Sequence, residues 1–405
     1  MRRGWTVATL VVGLAVALGA AQGRAPGDPG PGAPERPLTA DEQRARRAAA
    51  LAHVTAGLEL MKAEKWAEAA ARFEAAIALA PDGDEAHGQL GEALGRQGRW
   101  AEAEAAARAA VELNPARAQW HGLLGFALRS QRRFEEAEPA YCEAVRLAPR
   151  QDAWAGGLAY VLLHQRRWPE AEAAARRAIE LAFETANWHG ILGRALERQA
   201  RWAEAEAEYG TARRLEPQSD LWPGYLAGVF EAQGRWMEAE AAAREAVRLD
   251  PADPGWRARL GRALLEQARW PETEAAYREA VRLRPTVDDL HGTLAWALLM
   301  QEKWGAAEAE AREAMRLDPA YAQWHGNLGW ALRGQGRWTE AEAAYREAVR
   351  LAPEFHGWHA NLGQTLVRQE RWAEAAAAYG EALRLLPESA EYRRALETIQ
   401  ARLRS

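Results

Sequence analysis

The sequence of 405 residues contains a single cysteine, Cys142. One thiol cannot form an intramolecular disulfide bond, and it cannot supply a cysteine cluster for a metal ion. The chain also lacks a strong excess of charge of one sign, because 52 basic residues stand against 57 acidic ones, a formal net charge of −5. A nucleic-acid-binding protein needs a basic surface. We therefore expect no disulfide, no metal site and no nucleic-acid partner.

Motifs that would indicate catalysis are missing as well. The sequence contains no phosphate-binding loop, no catalytic triad pattern, no paired-carboxylate site and no HExxH zinc motif. β-Branched residues are few, whereas Ala, Glu and Arg are abundant, a composition that suits packed helices better than sheets. We therefore expect an all-α protein that is not an enzyme and carries no cofactor.

What the sequence does contain is a strict internal period of 34 residues. An aromatic residue returns at this spacing without any insertion, at Trp66, Trp100, Phe134, Trp168, Trp202, Trp236, Trp270, Trp304, Trp338 and Trp372. A proline ladder keeps the same period, with Phe183 as its one gap. Self-similarity at this period indicates a solenoid of stacked helical hairpins rather than a single globular core.

The unit at residues 322–355 shows how one hairpin is encoded. Leu328 and Leu332 lie at helical spacing on a first apolar stripe, and Trp338 opens a second stripe. Residues 335–337, Gln-Gly-Arg, separate the stripes and predict a short turn. Pro353 predicts the end of the second helix.

This pattern resembles that of the tetratricopeptide repeat family. The residues that match in order are Leu328, Gly329, Trp338, Ala341, Tyr345, Ala348 and Pro353. The resemblance covers ten units in a row, at residues 50–83, 84–117, 118–151, 152–185, 186–219, 220–253, 254–287, 288–321, 322–355 and 356–389. It implies a right-handed superhelix, an α-α solenoid whose first helices line a concave groove that the family uses to hold peptides or partner proteins.

One position of the second helix alternates between units. The odd-numbered units carry an aromatic residue there, at Phe73, Tyr141, Tyr209, Tyr277 and Tyr345. Units two to eight with even numbers carry alanine instead, and Tyr379 in the tenth unit breaks the rule. The effective repeat is therefore 68 residues long, which is consistent with growth by duplication of pairs.

The N-terminal residues 1–21 differ from the rest of the chain. Arg2 and Arg3 precede a mostly apolar run at residues 5–21 that closes on small residues, a pattern typical of a cleaved export signal. A run of this length also lies at the short end of what spans a bilayer, so an uncleaved membrane anchor is the alternative. We therefore expect an extracytoplasmic protein, periplasmic or secreted, with or without a membrane tether.

The two ends of the repeat array also have distinct sequences. Residues 22–38 form a linker rich in proline and glycine. Thr39 and Glu42 form a predicted capping box, so the first helix should begin well before residue 50 and the repeat region should extend over 39–389. Residues 390–405 predict a polar-faced helix that caps the last apolar surface of the solenoid.

Histidine recurs at one position of the first helix and raises the question of a metal site. Seven units carry it, at His53, His87, His121, His189, His291, His325 and His359. Packed helices lie roughly 8–10 Å apart, whereas the ligands of a zinc ion all lie about 2 Å from it. We therefore expect each imidazole to bond to a backbone carbonyl.

A basic ladder precedes the second helices. It consists of Lys65, Arg99, Arg133, Arg167, Arg201, Arg235, Arg269, Lys303, Arg337 and Arg371. A glutamate follows three residues later in every unit except at Ala306. Local ion pairing is the favoured interpretation, and a continuous stripe for an anionic ligand is the alternative.

Glycine within the first helices allows two interpretations. It occurs at Gly88, Gly122, Gly156, Gly190, Gly224, Gly292 and Gly326. Each costs about 1 kcal/mol relative to alanine, so the position should have a reason. Either the glycine makes room for a tryptophan of the neighbouring hairpin, or it allows a ligand backbone to approach.

The face of the first helix opposite its leucines is the predicted binding surface. At 100° per residue, Asn327 and Trp330 point away from Leu328 and Leu332, and the position of Trp330 varies strongly between units. The candidate groove residues are Phe126, Tyr160, Arg194, Arg262, Trp296, Asn327, Trp330 and Asn361. The sequence thus predicts a non-catalytic scaffold that binds a protein or peptide in the cell envelope. The alternative is an accessory, substrate-presenting subunit of an envelope enzyme such as a transferase or peptidase.

Overall fold

The computed structural model describes residues 38–404, which form 21 α-helices and no strand. The first helices of the ten units are α1 (Ala40–Lys62), α3 (Asp84–Arg96), α5 (Ala118–Ser130), α7 (Asp152–His164), α9 (Ala186–Glu197), α11 (Leu221–Ala232), α13 (Pro254–Glu266), α15 (Asp288–Leu299), α17 (Ala322–Gly334) and α19 (His356–Arg368). The second helices are α2 (Trp66–Leu79), α4 (Trp100–Leu113), α6 (Phe134–Leu147), α8 (Trp168–Leu181), α10 (Trp202–Leu215), α12 (Trp236–Leu249), α14 (Trp270–Leu283), α16 (Trp304–Leu317), α18 (Trp338–Leu351) and α20 (Trp372–Leu385). A last helix, α21 (Ala390–Arg404), follows.

The ends of the array are closed by capped or packed helices. Thr39 and Glu42 form the capping box at the start of α1, with the Glu42 amide 3.3 Å from the Thr39 hydroxyl. At the other end, Ile399 of α21 is buried against α20. The apolar run at residues 5–21 lies outside the described residues. No helix within residues 38–404 is long and apolar enough to cross a membrane.

Each unit turns between its helices through a residue in the left-handed backbone region. The ten positions have φ between 56° and 75°, and only Gly98, Gly234 and Gly336 among them are glycine. In the ninth unit the turn is closed by the Arg337 amide, which donates to the Leu332 carbonyl at 3.0 Å. This is the hydrogen-bond pattern of a Schellman cap, and it fixes the angle at which the second helix leaves the first.

Consecutive helices pack on one another along the whole chain, so the predicted all-α solenoid is confirmed. First helices of successive units, such as α15 and α17, also contact each other. Second helices of successive units make at most marginal contact. The first helices are therefore closer together, and the stack curves so that they line its concave side.

Tryptophan side chains fill the space above the helical glycines. The ring of Trp120 lies over Gly88 of the preceding unit, and the ring of Trp358 lies over Gly326 in the same way. A Cβ atom added at any of the seven glycines would meet a tryptophan ring at 2.4 Å or less. Side-chain packing between hairpins therefore explains these glycines, and approach by a ligand backbone does not.

Two interfaces depart from this tryptophan–glycine pairing, and they do so in a compensated way. Where the second unit carries Ala86 in place of tryptophan, the first unit carries the larger Val54 in place of glycine. Where the eighth unit carries Leu290, the seventh unit carries Ala258. At each interface the two side chains together therefore fill the same space, and a larger residue on one side occurs with a smaller one on the other.

The alternation over 68 residues has a similar origin. In the odd-numbered units the aromatic ring of the second helix lies against a glycine of the first helix, as Tyr345 lies against Gly329. In the fourth unit both positions are alanine, Ala159 and Ala175, and both are fully buried. The tenth unit departs from the alternation, but its Tyr379 also lies against a glycine of the first helix, Gly363.

The even-numbered units also supply an acceptor for the next tryptophan. Four indole N–H groups donate to an aspartate 36 residues earlier, in the pairs Trp120–Asp84, Trp188–Asp152, Trp256–Asp220 and Trp324–Asp288, at 2.7–3.1 Å. Trp222, in an even-numbered unit, has a buried indole nitrogen without a hydrogen-bond partner. Odd-numbered and even-numbered units thus differ in side-chain packing and in hydrogen bonding. The structural repeat is therefore the pair of units.

Candidate functional site

The basic ladder joins neighbouring units rather than forming a free cationic stripe. Arg337 bonds both to Glu340 of its own helix and to Glu308 of the preceding unit, each at 2.6 Å. Gln335 donates to the same Glu308 carboxylate at 2.8 Å. We call this arrangement the inter-unit clamp. Its equivalents pair Arg133 with Glu104, Arg167 with Glu138, Arg201 with Glu172, Arg235 with Glu206, Arg269 with Glu240, Lys303 with Glu274 and Arg371 with Glu342.

The clamp holds its central carboxylate in the ionised form. Burial by itself would raise the pKa of Glu308, but hydrogen bonds from Gln335, Arg312 and Arg337 outweigh that effect and lower the pKa to about 2. The arginine charges are thus compensated by carboxylates of the chain itself. The ladder therefore serves the stacking of hairpins, in agreement with the ion-pair interpretation.

The histidine ladder is also engaged inside the scaffold. In six units the imidazole Nε2 lies 2.8–3.0 Å from the backbone carbonyl oxygen six residues earlier, as His325 does from Pro319. His189 and His291 bond in addition to Glu208 and Glu310 through Nδ1, at 2.7 Å each. Within residues 38–404 no group of three or more acidic, histidine or cysteine side chains is arranged to hold a metal ion.

The candidate groove residues fall into separate clusters along the first helices. Phe126 and Tyr160 belong to the first cluster, where the guanidinium of Arg129 stacks between them at 4.8 and 4.9 Å from the ring centroids. Phe126 is 36% exposed and also makes an edge-on contact with Trp100 at 5.5 Å. We call the group of Phe126, Arg129, Tyr141 and Tyr160 the arginine–aromatic cleft.

The cleft opens into a cavity of about 1060 Å³. Phe126, Arg129 and Tyr141 line it, together with side chains from the units on either side. Burial raises the pKa of Tyr141 to about 12, although the charge of Arg129 acts in the opposite direction. The cavity is thus bordered by aromatic rings, one stacked guanidinium and a tyrosine hydroxyl.

The middle of the groove carries the two predicted arginines. Arg194 lies over the ring of Tyr225, 6.0 Å from its centroid, and Arg262 is exposed. Neither makes an ion pair with a carboxylate within the described chain. Both remain available to a ligand, although the structure does not bring them into one cluster.

Trp296 and Trp330 form the second cluster, which we call the tryptophan pair. Their rings meet edge to face at 5.2 Å, and both are half-buried. A small cavity of about 220 Å³, bordered by Trp296, Thr293 and Gln323, lies beside them.

The two predicted asparagines lie near the tryptophan pair, and Asn327 lines the same small cavity. Asn327 is 2% exposed, and its amide donates to the Gly292 carbonyl at 3.1 Å. Asn361 is half-buried and accepts a hydrogen bond from Arg333 at 3.2 Å. Both amides are used inside the scaffold, so they contribute little to a ligand surface.

Arg129 and Tyr141 were not among the residues that the sequence indicated. The variation between units stands out at the position of Trp330, whereas Arg129 lies one helical turn beyond the equivalent residue of its own unit. Tyr141 stands at a position that the sequence assigns to packing. The sequence signal that could have identified Arg129 is a charged residue close to the aromatic positions of the groove.

Comparisons with known proteins agree with the repeat pattern. A sequence model described as the tetratricopeptide repeat matches residues 54–118, 89–151, 123–182, 157–220, 191–254, 226–288 and 293–354. A second model with the same description matches residues 332–399. Among curated proteins, none is detectably similar in sequence.

Several solved structures are similar in architecture. YrrB, described as a TPR protein with an unusual peptide-binding site, is 17% identical, with 47% of this chain and 97% of that chain covered and a TM-score of 0.43. PilF of Pseudomonas aeruginosa is 18% identical, with 53% and 97% covered and a TM-score of 0.47. Yeast Tom70 is 14% identical, with 88% and 96% covered and a TM-score of 0.39. Sequence identities and TM-scores this low carry no information about what this chain binds.

Proposed function

Because this chain belongs to the tetratricopeptide repeat family, we propose that it is a non-catalytic scaffold that holds an extended segment of a partner protein in its concave groove. One observation supports this proposal most directly. The repeated charged and aromatic positions are engaged in packing and ion pairs of the scaffold, whereas Phe126, Arg129 and Tyr160 of the cleft and the tryptophan pair stand at positions that vary between units. Scaffold residues are monotonous and groove residues are not, as expected for a surface fitted to a ligand.

The tryptophan pair is the best place to test the proposal. Large aromatic side chains carry most of the binding energy at protein interfaces. Changing Trp296 and Trp330 together to alanine should weaken binding by about 2–4 kcal/mol, which is roughly 30-fold to 1000-fold in affinity. The partner would first be captured from envelope extract by the full chain, identified by mass spectrometry and then titrated by calorimetry.

Two further variants separate loss of binding from loss of structure. Tyr321 and Phe355 are exposed aromatic residues in loops between units, and their joint change to alanine should leave binding unchanged. Trp324→Ala should destabilise the fold by about 3–5 kcal/mol because its ring is buried. If the Trp296/Trp330 variant melted as early as Trp324→Ala, the tryptophan pair would belong to the core and not to a binding surface.

We also propose that the scaffold works outside the cytoplasm, on the basis of the sequence of residues 1–21. A reporter that is active only after export, fused behind Ser405, should be active in cells. Replacing Arg2 and Arg3 by glutamate should reduce that activity. An inactive reporter on the unaltered chain would contradict the proposed location, and the mass of the exported product would distinguish a cleaved signal from an anchor.

A further inference from the structure

Several second helices carry a tyrosine at the same position, and the hydroxyl groups of these tyrosines differ in their hydrogen-bond partners. The hydroxyl of Tyr209 donates to the carboxylate of Glu197 at 2.8 Å. Glu197 stands at the twelfth position of its unit. In the third unit the corresponding tyrosine is Tyr141, and the twelfth position holds Arg129 instead of a carboxylate. The chain therefore contains this tyrosine with an acidic partner, at Tyr209, and without one, at Tyr141 and Tyr345.

In the third unit the two donors face the cavity without an acceptor from the chain. Tyr141 is 2% exposed, lines the cavity and has no hydrogen-bond partner among residues 38–404. Arg129 makes no ion pair there, and its contacts are the faces of Phe126 and Tyr160. Stacking on ring faces leaves the N–H groups at the edge of a guanidinium free to donate.

In the ninth unit the Tyr345 hydroxyl also lacks a hydrogen-bond partner, but it is buried and the neighbouring arginine is engaged. Arg333 is the equivalent of Arg129, and its guanidinium bonds to Asn361 and Gln364. Its Nη1 donors are therefore engaged by the scaffold. Arg333 offers a matched control for Arg129, since both residues have the same position and neighbour a buried tyrosine.

The charge and the lining of the cavity fit an acidic segment. Glu92 is the only carboxylate among the residues that line it, and it pairs with Arg96 at 3.9 Å. Arg129 is thus the unpaired charge of the cavity. Gln89, Gln119 and Gln151 also line it, and amide side chains of this kind can bond to the backbone of an extended peptide.

We propose that the arginine–aromatic cleft binds an aspartate or glutamate side chain in an extended segment of the partner protein. The carboxylate would accept from the Tyr141 hydroxyl, as that of Glu197 does from Tyr209, and from the guanidinium edge of Arg129. The lining residues come from both neighbouring units, so the segment runs across the cleft. This inference rests on the proposed function and adds the chemistry that the groove recognises.

The test uses a displayed library of random twelve-residue segments held between fixed linkers, so that no segment carries a free C-terminus. Selection on the full chain should enrich segments with Asp or Glu at one position. Changing that acid to its amide in the best synthetic segment, blocked at both ends, should weaken binding about tenfold or more, as expected for a charge-assisted hydrogen bond.

The same synthetic segment should bind Arg129→Gln and Tyr141→Phe about tenfold more weakly, and the acid and amide forms should then bind alike. Arg333→Gln should leave both affinities unchanged. Circular dichroism checks that each variant is folded, and Tyr141→Phe retains the ring that packs against Gly125 and Gly157.

Three outcomes would overturn the inference. Segments that bind without a preference for an acid would exclude carboxylate recognition but leave groove binding intact. Failure to recover any segment would contradict this inference, while the titration of the captured partner against the Trp296/Trp330 variant would still decide the proposed function. A gain of affinity on unblocking the C-terminus, with no effect of the side-chain acid, would likewise exclude an acidic side chain as the ligand.

Discussion

At the scale of single residues, the interfaces between units obey a rule of shared volume. A tryptophan in one unit faces a glycine in the preceding unit, and a smaller residue on one side occurs with a larger one on the other, as at Ala258 and Leu290. Packing at native density tolerates neither a void nor an extra methyl group. Each pair is therefore a unit of stability that can be exchanged only as a whole.

The pair of Gly190 and Trp222 tests this rule. A Cβ at residue 190 would lie 2.4 Å from the Trp222 ring, so Gly190→Ala should destabilise the chain by about 1–3 kcal/mol. Trp222→Leu alone should cost about 3 kcal/mol. The double variant recreates the combination of alanine and leucine found at Ala258 and Leu290, and it should cost less than the sum by about 0.5–3 kcal/mol. Urea unfolding gives the free energy of unfolding of all four proteins. Additive effects of the two changes would show that the two positions are not coupled.

The glutamates of the inter-unit clamp predict how stability depends on pH. The pKa of Glu308 is lowered from 4.5 to about 2 in the folded chain, so the folded state binds fewer protons than the unfolded state between these values. This contribution is fully present above pH 4.5 and is lost as the pH falls through about 2. The thermal midpoint should therefore drop between pH 4.5 and 2, and less steeply in Glu308→Gln. Equal slopes for the two proteins would refute the role of Glu308.

At the scale of the helical elements, the turns between helices place residues with a side chain in a backbone conformation that favours glycine. Seven of the ten left-handed turn positions carry a side chain, among them Ala200 and Ala268. An L-residue with a Cβ is strained in this region, whereas glycine is not. The turns are retained because the Schellman hydrogen bonds and the packing of both helices determine the chain direction.

Ala200→Gly and Ala268→Gly should therefore stabilise the chain by about 1 kcal/mol each. The reverse change at an equivalent turn, Gly234→Ala at φ +69°, should destabilise it by a similar amount. Thermal unfolding followed by circular dichroism gives both shifts. Shifts of the same sign in the two directions would mean that side-chain contacts, and not the backbone, govern these turns.

The helices themselves could be predicted from the sequence, because their signals are local. The start of each second helix at an aromatic residue, and its end before a proline such as Pro353, are visible within 20 residues. The meaning of the 68-residue alternation could not be predicted. The indole of Trp324 finds its acceptor in Asp288, 36 residues earlier, and only the stacking of whole units brings the two together.

At the scale of the whole molecule, contacts are confined to neighbours, so the array should tolerate the removal of complete pairs of units. Deleting residues 118–185 places Trp188 over Gly88 and within reach of Asp84, and puts Ile191 where Leu123 packs near Ala107. Deleting residues 118–151 removes one unit only. It leaves Gly157 without the Tyr141 ring that fills its space in the intact chain.

The shorter protein should therefore be the more stable of the two. The cavity left by a missing aromatic ring costs about 3–5 kcal/mol, which should exceed what one additional unit contributes. Urea unfolding of both proteins, with circular dichroism as the signal, provides the comparison. If the deletion of one unit proved as stable as the deletion of two, the alternation would have no structural role.

The candidate groove could be predicted from the sequence only in part, for a reason that also lies at this scale. Variation between units identified Phe126, Tyr160, Trp296 and Trp330, because a position that changes in a monotonous array stands out. It did not identify Tyr141, which lines the cavity together with residues of four first helices that only the stacking of units brings together. The candidate site thus includes a residue at a position that the sequence assigns to packing.

The alternation has a consequence for the gene. A tandem array of similar copies is prone to misaligned pairing between sister chromosomes, and unequal crossing-over then adds or removes copies. Exchanges that shift the alignment by one copy encode junctions such as Ala107 facing Gly157, whereas exchanges that shift it by two restore the original neighbours. Purifying selection on folding should therefore leave alleles whose lengths differ in steps of 68 codons rather than 34.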